Sequence, residues 1–299
     1  MSHVKIVAVL GAGTMGQGIA QVAAAAGFTT RVFDAAPERA AQAIAAIGKQ
    51  LDKLVEKAKI TADQRSSTLA HLSSATTVAE ASRDADLVVE AAPENMDLKT
   101  KILSDAKSTA KADAILASNT SSLSLTELGA RVGAGDRVVG LHFFNPPPVM
   151  ELLEIVRGLS TSQETIERAL AIAASMKKSP IIVNDSPGFA SSRLGVILGA
   201  EAIRMLESGV ASAADIDRAM ELGYRHPMGP LKLTDLVGLD VRLAILDHLH
   251  KEVGEQFRAP SLLRTMVRAG KLGKKTGEGF YVWKDGVAVP PTNKAISNK

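Results

Sequence analysis

The chain has 299 residues, enough for two domains of ordinary size, and its apolar content of 46% can fill a core in each. With 22% charged residues, 24 glycines and 12 prolines, the composition excludes a disordered, collagenous or low-complexity scaffold. The net charge of +3 is spread without a basic stripe interleaved with aromatics, which argues against a nucleic-acid partner, and the absence of cysteine excludes disulfides, thiol catalysis and Cys-zinc sites, so no metal is expected.

Met1-Ser2-His3 runs straight into an apolar segment with neither a signal-peptide nor a transit-peptide pattern. The Ala-rich stretch 19–28 is interrupted by Gln21 and falls short of a bilayer span. A cytoplasmic protein with no membrane segment is the expectation.

From residue 4 to about 184, short β-branched runs alternate with longer helical patterns, the mark of parallel β-α-β units. Strands are expected over 4–10, 29–33, 87–90, 114–118, 138–142, 152–156 and 180–183, several of them continuously apolar, as strands covered on both faces should be. Helices are expected over 15–26, 37–57 and 98–110, with another opening at the capping-box spacing Thr161-Ser-Gln-Glu164. Asp185-Ser-Pro-Gly188 then marks a turn into a region that reads as helical almost throughout. Leu194, Ile197, Leu198, Met205 and Leu206 recur at helical spacing up to Gly209, and Ser212-Ala-Ala-Asp215 opens a further helix. After Pro227-Met-Gly-Pro230, one longer helix is expected to include Leu236, Leu239, Leu243, Leu246 and Leu249. The expected fold is therefore α/β: a Rossmann-like, doubly wound, mostly parallel sheet over 1–184, followed by an all-helical C-terminal domain over 185–299. So many apolar helix faces suggest burial against a second copy, hence a homodimer.

Gly11-Ala-Gly13-Thr14-Met15-Gly16 follows the first strand directly and opens the first helix. The first glycine makes the turn, the second lets backbone approach a pyrophosphate, and the third lets helix and strand pack closely. Asp34 ends the second strand, where a carboxylate accepts hydrogen bonds from a ribose diol and repels the extra phosphate of NADP, so the first domain is read as NAD-binding. Arg31 and Arg39 lie nearby, but neither directly follows the carboxylate.

A nicotinamide enzyme acting on an alcohol needs a base, and His142 alone among the six histidines ends an expected strand, at the edge where ligands of open parallel sheets bind. A histidine capping a strand or bonded in a core is the competing reading. Phe143-Phe-Asn145-Pro-Pro-Pro148 follows it and suits the wall of a substrate pocket. Glu154 lies within the apolar run Leu152-Leu-Glu-Ile-Val156, where a buried charge needs a partner, and His142 is the natural one; an edge-strand surface charge is the alternative. Ser118-Asn119-Thr-Ser121-Ser122 ends another strand, with hydroxyls and an amide suited either to a ligand or to capping. Glu94 and Lys99 follow the 87–90 strand similarly, as ligand contacts or as solvated charges.

Taken together, these motifs resemble the L-3-hydroxyacyl-CoA dehydrogenase family, especially its short bacterial 3-hydroxybutyryl-CoA members, over nearly the whole chain. The resemblance extends to Leu-His-Phe-Phe-Asn-Pro from Leu141, Asp-Ser-Pro-Gly-Phe from Asp185, His-Pro-Met-Gly-Pro from His226 and Gly-Lys-Lys-Thr-Gly-Glu-Gly-Phe-Tyr ending at Tyr281. It implies an NAD-dependent enzyme that interconverts (S)-3-hydroxyacyl-CoA and 3-ketoacyl-CoA, with His142 as base, Glu154 as its orienting partner, and Ser121 and Asn145 on the substrate. It places Asp34, Glu94, Lys99 and Asn119 near the cofactor, and Lys53 and Lys57 on a helical arm that meets the coenzyme A phosphates. The second domain is then the substrate and dimerisation domain. One position departs: many members carry Asn before the Arg that follows Pro-Gly-Phe, whereas here Ser192 precedes Arg193. Serine has a shorter reach and one polar atom fewer, which puts a catalytic role for Ser192 in question. The rival readings are a dehydrogenase of a free hydroxy or sugar acid, and an NAD-binding structural or sensor protein with a decayed site; an intact His142–Glu154 pair argues against the second.

Overall fold

The structure, a computed structural model, describes residues 4–290, so Met1, Ser2 and His3 and the leader reading attached to them lie outside the described residues. Two compact units divide the chain, Met1–Ser186 and Pro187–Lys299, each with its own apolar core.

The first unit runs β1 (Ile6–Leu10), α1 (Thr14–Ala25), β2 (Thr29–Phe33), α2 (Arg39–Glu56), α3 (Ala62–Ala70), β3 (Leu72–Ser74), α4 (Val78–Ser82), β4 (Leu87–Glu90), α5 (Met96–Lys107), β5 (Ile115–Ser118), α6 (Leu125–Val132), β6 (Val138–Phe143), β7 (Leu152–Arg157), α7 (Gln163–Ser175) and β8 (Ser179–Asn184). The eight strands form one sheet in the order β3-β2-β1-β4-β5-β6-β7-β8. All neighbours are parallel except β6 and β7, which are antiparallel. The order of connection reverses between β1 and β4, the switch point at which doubly wound sheets open a crevice. Continuous burial of β4, β5 and β6 matches their mostly apolar sequences, since helices cover both faces; Glu90, Ser118 and His142 are the polar residues buried with them.

Two local expectations are corrected. Three elements, α3, β3 and α4, fill residues 62–82, where none was expected: α3 is mostly polar with only Thr68 buried, and β3 is three residues of edge strand, so neither carries a clear apolar period. Thr61 and Gln64 form a reciprocal capping box at the start of α3. The helix expected to open with a capping box at Thr161 is instead capped by Ser162, whose Oγ accepts from the Thr165 amide at 3.1 Å. Thr161 Oγ1 donates to the Val138 carbonyl and accepts from the Gly158 amide.

The second unit contains α8 (Ser191–Glu207), α9 (Ala213–Gly223), α10 (Pro230–Val237), α11 (Leu239–Glu252), α12 (Ser261–Arg268), single 3-10 turns at Glu255–Phe257 and Lys274–Thr276, and a hairpin of β9 (Val282–Lys284) and β10 (Val287–Val289). The single helix expected through Leu236 and Leu249 is two, because Gly238 at φ +106° breaks the path between α10 and α11. Leu194, expected on the apolar stripe of α8, is 68% exposed, and the buried face runs through Val196, Gly199, Ala200 and Ile203 instead. The hairpin interrupts an otherwise helical unit, and Asp235 holds its approach by accepting from the Phe280 and Tyr281 amides and the Trp283 indole. Asp217 accepts from the Tyr281 hydroxyl and from the Leu231 and Lys232 amides at the start of α10. Burial pushes both carboxyls upward against these hydrogen bonds.

Candidate active site

Strand register brings the chemistry of the first unit to one edge. Leu10 pairs with Glu90, Glu90 with Ser118 and Ser118 with Gly140, so the segments after these residues all leave the carboxyl ends of adjacent parallel strands. These segments are the glycine loop, residues 91–94, residues 119–122 and His142.

At the glycine loop, Gly11 has φ +111°, and a Cβ on Gly16 would lie 1.7 Å from the Gly11 carbonyl oxygen, a distance no side chain survives. Gly13 is different: a Cβ there would meet nothing within 4 Å, so the loop faces open space in front of α1. Together with the α1 amides, that opening is the cradle a pyrophosphate requires. Met15 and Thr14 stand in the first turn of the helix, half-buried and exposed. Asp34 braces the loop, accepting from the Ala12 amide at 2.7 Å and the Ala36 amide at 2.9 Å, at the position a ribose diol would meet. Arg31 donates to the Arg83 carbonyl and so points to its own backbone rather than to a 2′-phosphate.

Beneath the next segment lies an ion-pair network missed in the sequence. Glu90 is fully buried and accepts from Lys99 Nζ at 2.8 and 3.0 Å, Ser118 Oγ at 2.6 Å and the Ala92 amide at 2.5 Å. Lys99 is itself buried and also donates to the Ala92 carbonyl, with Glu94 at 3.4 Å. Burial disfavours ionisation of Glu94, but the Lys99 ammonium and hydrogen bonds from Thr120, Ser122 and the Ser121 amide outweigh it and hold the carboxyl below its ordinary range. Glu90 carried the same signal that singled out Glu154, an acid inside an apolar run.

The 118–122 loop sorts itself by hydrogen bonding. Ser118 is spent on Glu90, Thr120 and Ser122 on Glu94, and Asn119 Oδ1 accepts from the Phe143 amide at 2.9 Å. The Ser121 hydroxyl is half-buried and makes no hydrogen bond among the described residues, which leaves it to a ligand.

His142 and Glu154 are direct cross-strand partners on β6 and β7. Nδ1 of His142 lies 2.6 Å from Oε2 of Glu154; the histidine is 7% exposed and the glutamate 0%. A carboxylate only accepts, so Nδ1 carries the proton and Nε2 is the basic ring nitrogen. Phe144 packs against the imidazole with ring centroids 4.6 Å apart and planes tilted by 49°, and Asn145 follows, exposed. Pro147 closes the turn onto α1 at Gly18, where a Cβ would come within 2.6 Å of the proline ring.

Lys53 and Lys57 are exposed at the end of α2, away from this strand edge in sequence and element. Ser192 belongs to the second unit, half-buried in the first turn of α8. A groove of about 710 Å³ lined by Gln21, Leu51, Gln64, Met176 and Lys178, among others, includes none of the predicted site residues.

Comparison with known proteins identifies the family. The family model for the 3-hydroxyacyl-CoA dehydrogenase NAD binding domain matches residues 6–186, and that for the 3-hydroxyacyl-CoA dehydrogenase C-terminal domain matches residues 188–283. A probable 3-hydroxybutyryl-CoA dehydrogenase of Bacillus subtilis is 45% identical over 95% of this chain and 99% of that protein. A 3-hydroxybutyryl-CoA dehydrogenase of Clostridioides difficile is 43% identical over 92% of this chain and 98% of its own length. Among solved structures, the (S)-3-hydroxybutyryl-CoA dehydrogenase of Ralstonia eutropha superposes with a TM-score of 0.90 at 42% identity, covering 94% of this chain and all of that one.

Proposed function

Because the chain belongs to the 3-hydroxyacyl-CoA dehydrogenase family and is an NAD-dependent dehydrogenase, we propose that it interconverts a short (S)-3-hydroxyacyl-CoA, 3-hydroxybutyryl-CoA in the first instance, and the 3-ketoacyl-CoA. The observation that carries the reading is the 2.6 Å bond between His142 and Glu154 at the carboxyl edge of the sheet. In the oxidative direction Nε2 of His142 takes the proton of the C3 hydroxyl, while Glu154 fixes the tautomer and stabilises the imidazolium that results. NAD, when bound, supplies the acceptor for the hydride that leaves C3. Gly11, Gly13, Thr14, Met15 and Gly16 hold its phosphates and Asp34 its ribose; Asn119 fixes the backbone at Phe143, and Glu94 with Lys99 and Glu90 stiffens the neighbouring loops. Ser121 and Asn145 contact the substrate, and Lys53 and Lys57 meet the coenzyme A phosphates. Ser192 takes the place of a substrate-contacting asparagine. The first unit is thus the NAD-binding domain, the second the substrate and dimerisation domain, and the enzyme a cytoplasmic homodimer. Among the described residues, no helix is long and apolar enough to cross a membrane.

The test is NADH oxidation with acetoacetyl-CoA, run beside free acetoacetate, NADPH and His142→Ala. Turnover that needs both the thioester and NADH, and falls by about 10²–10⁴-fold in the variant, is the expected result. A protein that binds NADH yet ignores the thioester would refute the substrate half of the proposal.

A further inference from the structure

The turn between β6 and β7 carries two of the groups assigned above: Phe144, whose ring lies against His142, and Asn145, the proposed substrate contact. Its own side chains scarcely anchor it. Asn145, Pro146, Pro148, Val149 and Met150 are all exposed, Val149 by 71%, and only Pro147 is buried, against Gly18 of α1. Within the turn the Val149 and Met150 amides both donate to the Pro146 carbonyl, which fixes its curl but not its place on the sheet. Alongside runs the groove of about 710 Å³, lined by Pro148, Val149 and Glu151 from the turn and by Met176, Lys177 and Lys178 from the connection of α7 to β8. A segment with so few packed side chains, bordering open space, keeps one shape only if something else restrains it.

Lys178 supplies that restraint. It is half-buried just ahead of β8, and its Nζ donates to the Pro147 carbonyl at 2.5 Å and to the Met150 carbonyl at 2.8 Å, so that one ammonium spans the turn. The lysine's own backbone is fixed next door, where the Ser179 amide donates to the Glu151 carbonyl at 2.9 Å and β8 begins its parallel register with β7. None of the ion pairs among the described residues involves Lys178, so its charge is committed to the two carbonyls. Burial lowers its ammonium from the ordinary lysine range, with the charge of Glu151 opposing in part. Bonds from a charged donor are the strong kind, and three protons on a single atom suit carbonyls that converge on it.

We propose that Lys178 is a positioning residue for the dehydrogenase reaction: its ammonium ties down the 144–150 turn so that Asn145 faces the thioester substrate and Phe144 stays against the imidazole. The proposal rests on the thioester reading above and adds what keeps the substrate wall in place. All the parts belong to the first unit, from His142 through the turn to the start of β8. Lys178 acts through backbone carbonyls, and a wall that drifts by about 1 Å costs on the order of 10²-fold in rate.

The experiment compares the full-length wild type with Lys178→Met, Lys178→Arg, Asn145→Ala and the double variant Lys178→Met with Asn145→Ala. It measures NADH-dependent reduction of acetoacetyl-CoA, NADH titrations, thermal melts and amide hydrogen exchange. Lys178→Met should lower kcat/KM by about ten- to a hundredfold, the range for losing hydrogen bonds to a charged group, with the Kd for NADH and the melt close to wild type. Exchange of the Val149 and Met150 amides should quicken while that of β7 does not. Lys178→Arg should recover part of both losses. In the Asn145→Ala background, removing the lysine should cost about threefold at most, because both changes act through one contact. Wild-type kcat/KM or wild-type exchange in Lys178→Met overturns the proposal. A melt and an NADH affinity that fall in step with activity overturn it too, and make the lysine a part of the general scaffold. Single effects that multiply in full in the double variant separate Lys178 from Asn145 and likewise overturn it. If the wild type binds NADH but reduces no thioester, the parent reading has failed, and the exchange rates alone then decide whether Lys178 holds the turn.

Discussion

Glu154 sits where water does not reach, in the middle of a strand with buried neighbours on both sides. Its carboxylate does two things for His142: it receives the Nδ1 proton and it offsets the charge that appears when Nε2 takes another. Glu154→Gln keeps the size and still offers an oxygen to Nδ1, but it removes the charge. The expected result is a kcat lower by at least about tenfold, equivalent to ~1.4 kcal/mol on the barrier, with the Kd for NADH unchanged. A glutamine variant with wild-type kcat would take Glu154 out of the machinery. The position was legible in the sequence because an acid inside an apolar run must find a partner. Glu90 gave the same sign in Leu87-Val-Val-Glu90, yet its partner is Lys99 nine residues on, and only the turn from β4 into α5 brings them together. Within Ser118–Ser122, five polar residues in a row look alike on paper. Which hydroxyl is left for a ligand depends on where Glu90 and Glu94 place their oxygens, and that is a property of the fold.

At the scale of elements, the turn from β1 into α1 makes a contrast that two alanine substitutions expose. Gly16→Ala drives a methyl into the Gly11 carbonyl, so α1 must shift from the sheet; a loss of about 1–3 kcal/mol in stability and of NADH binding is expected, read by thermal melt and fluorescence titration. Gly13→Ala meets no protein atom and should leave the melt nearly unchanged while weakening NADH, because its methyl stands in the space a pyrophosphate would enter. Equal melts and equal NADH affinity for both variants would contradict this view of the loop. The start of the sheet has its own clasp: Asp86, leading into β4, accepts from the Lys5 and Ile6 amides and from Lys111. Burial would raise its carboxyl, but Lys111 and the two amides outweigh burial and hold it below its ordinary 3.8. A depressed carboxyl stabilises the fold above the unfolded-state value and loses that contribution as pH falls through the folded one. Asp86→Asn should therefore cost about 1–3 kcal/mol in urea unfolding at pH 7, with the gap from wild type narrowing below about pH 4. A gap that stays constant with pH would show that the charge of Asp86 contributes nothing. The strands were readable from continuous apolar runs, and α1, α2, α5 and α7 from their apolar period, whereas α6 was not expected although Leu125, Leu128 and Val132 give it a buried face. Residues 62–82 were not, because α3 and β3 take their stability from short caps and from lying beside α2 and β2 rather than from an apolar face of their own.

For the molecule as a whole, the question is what covers the apolar surface of the second unit. Leu222 and Tyr224 are exposed at the end of α9, and Leu236 and Val237 are exposed at the end of α10. The two helices are neighbours, since Asp217 of α9 accepts from the first amides of α10, so these side chains belong to one packed pair. Single exposed leucines need no explanation, but exposed apolar side chains at the ends of two packed helices are surfaces that self-association can cover. The twofold dimer is by far the commonest closed assembly of a single chain type, and it is the assembly expected here. Light scattering on the full-length protein should therefore give roughly twice the chain mass of 31.3 kDa. The double variant Leu222→Asp with Tyr224→Asp should shift the equilibrium to monomer, because each carboxylate would have to be desolvated at the contact. A wild type that is monomeric at every concentration would defeat the dimer itself. A double variant that remains dimeric would leave the dimer standing and move its interface off the ends of α9, so the wild-type mass decides whether the helical unit self-associates and the variant mass decides through which face.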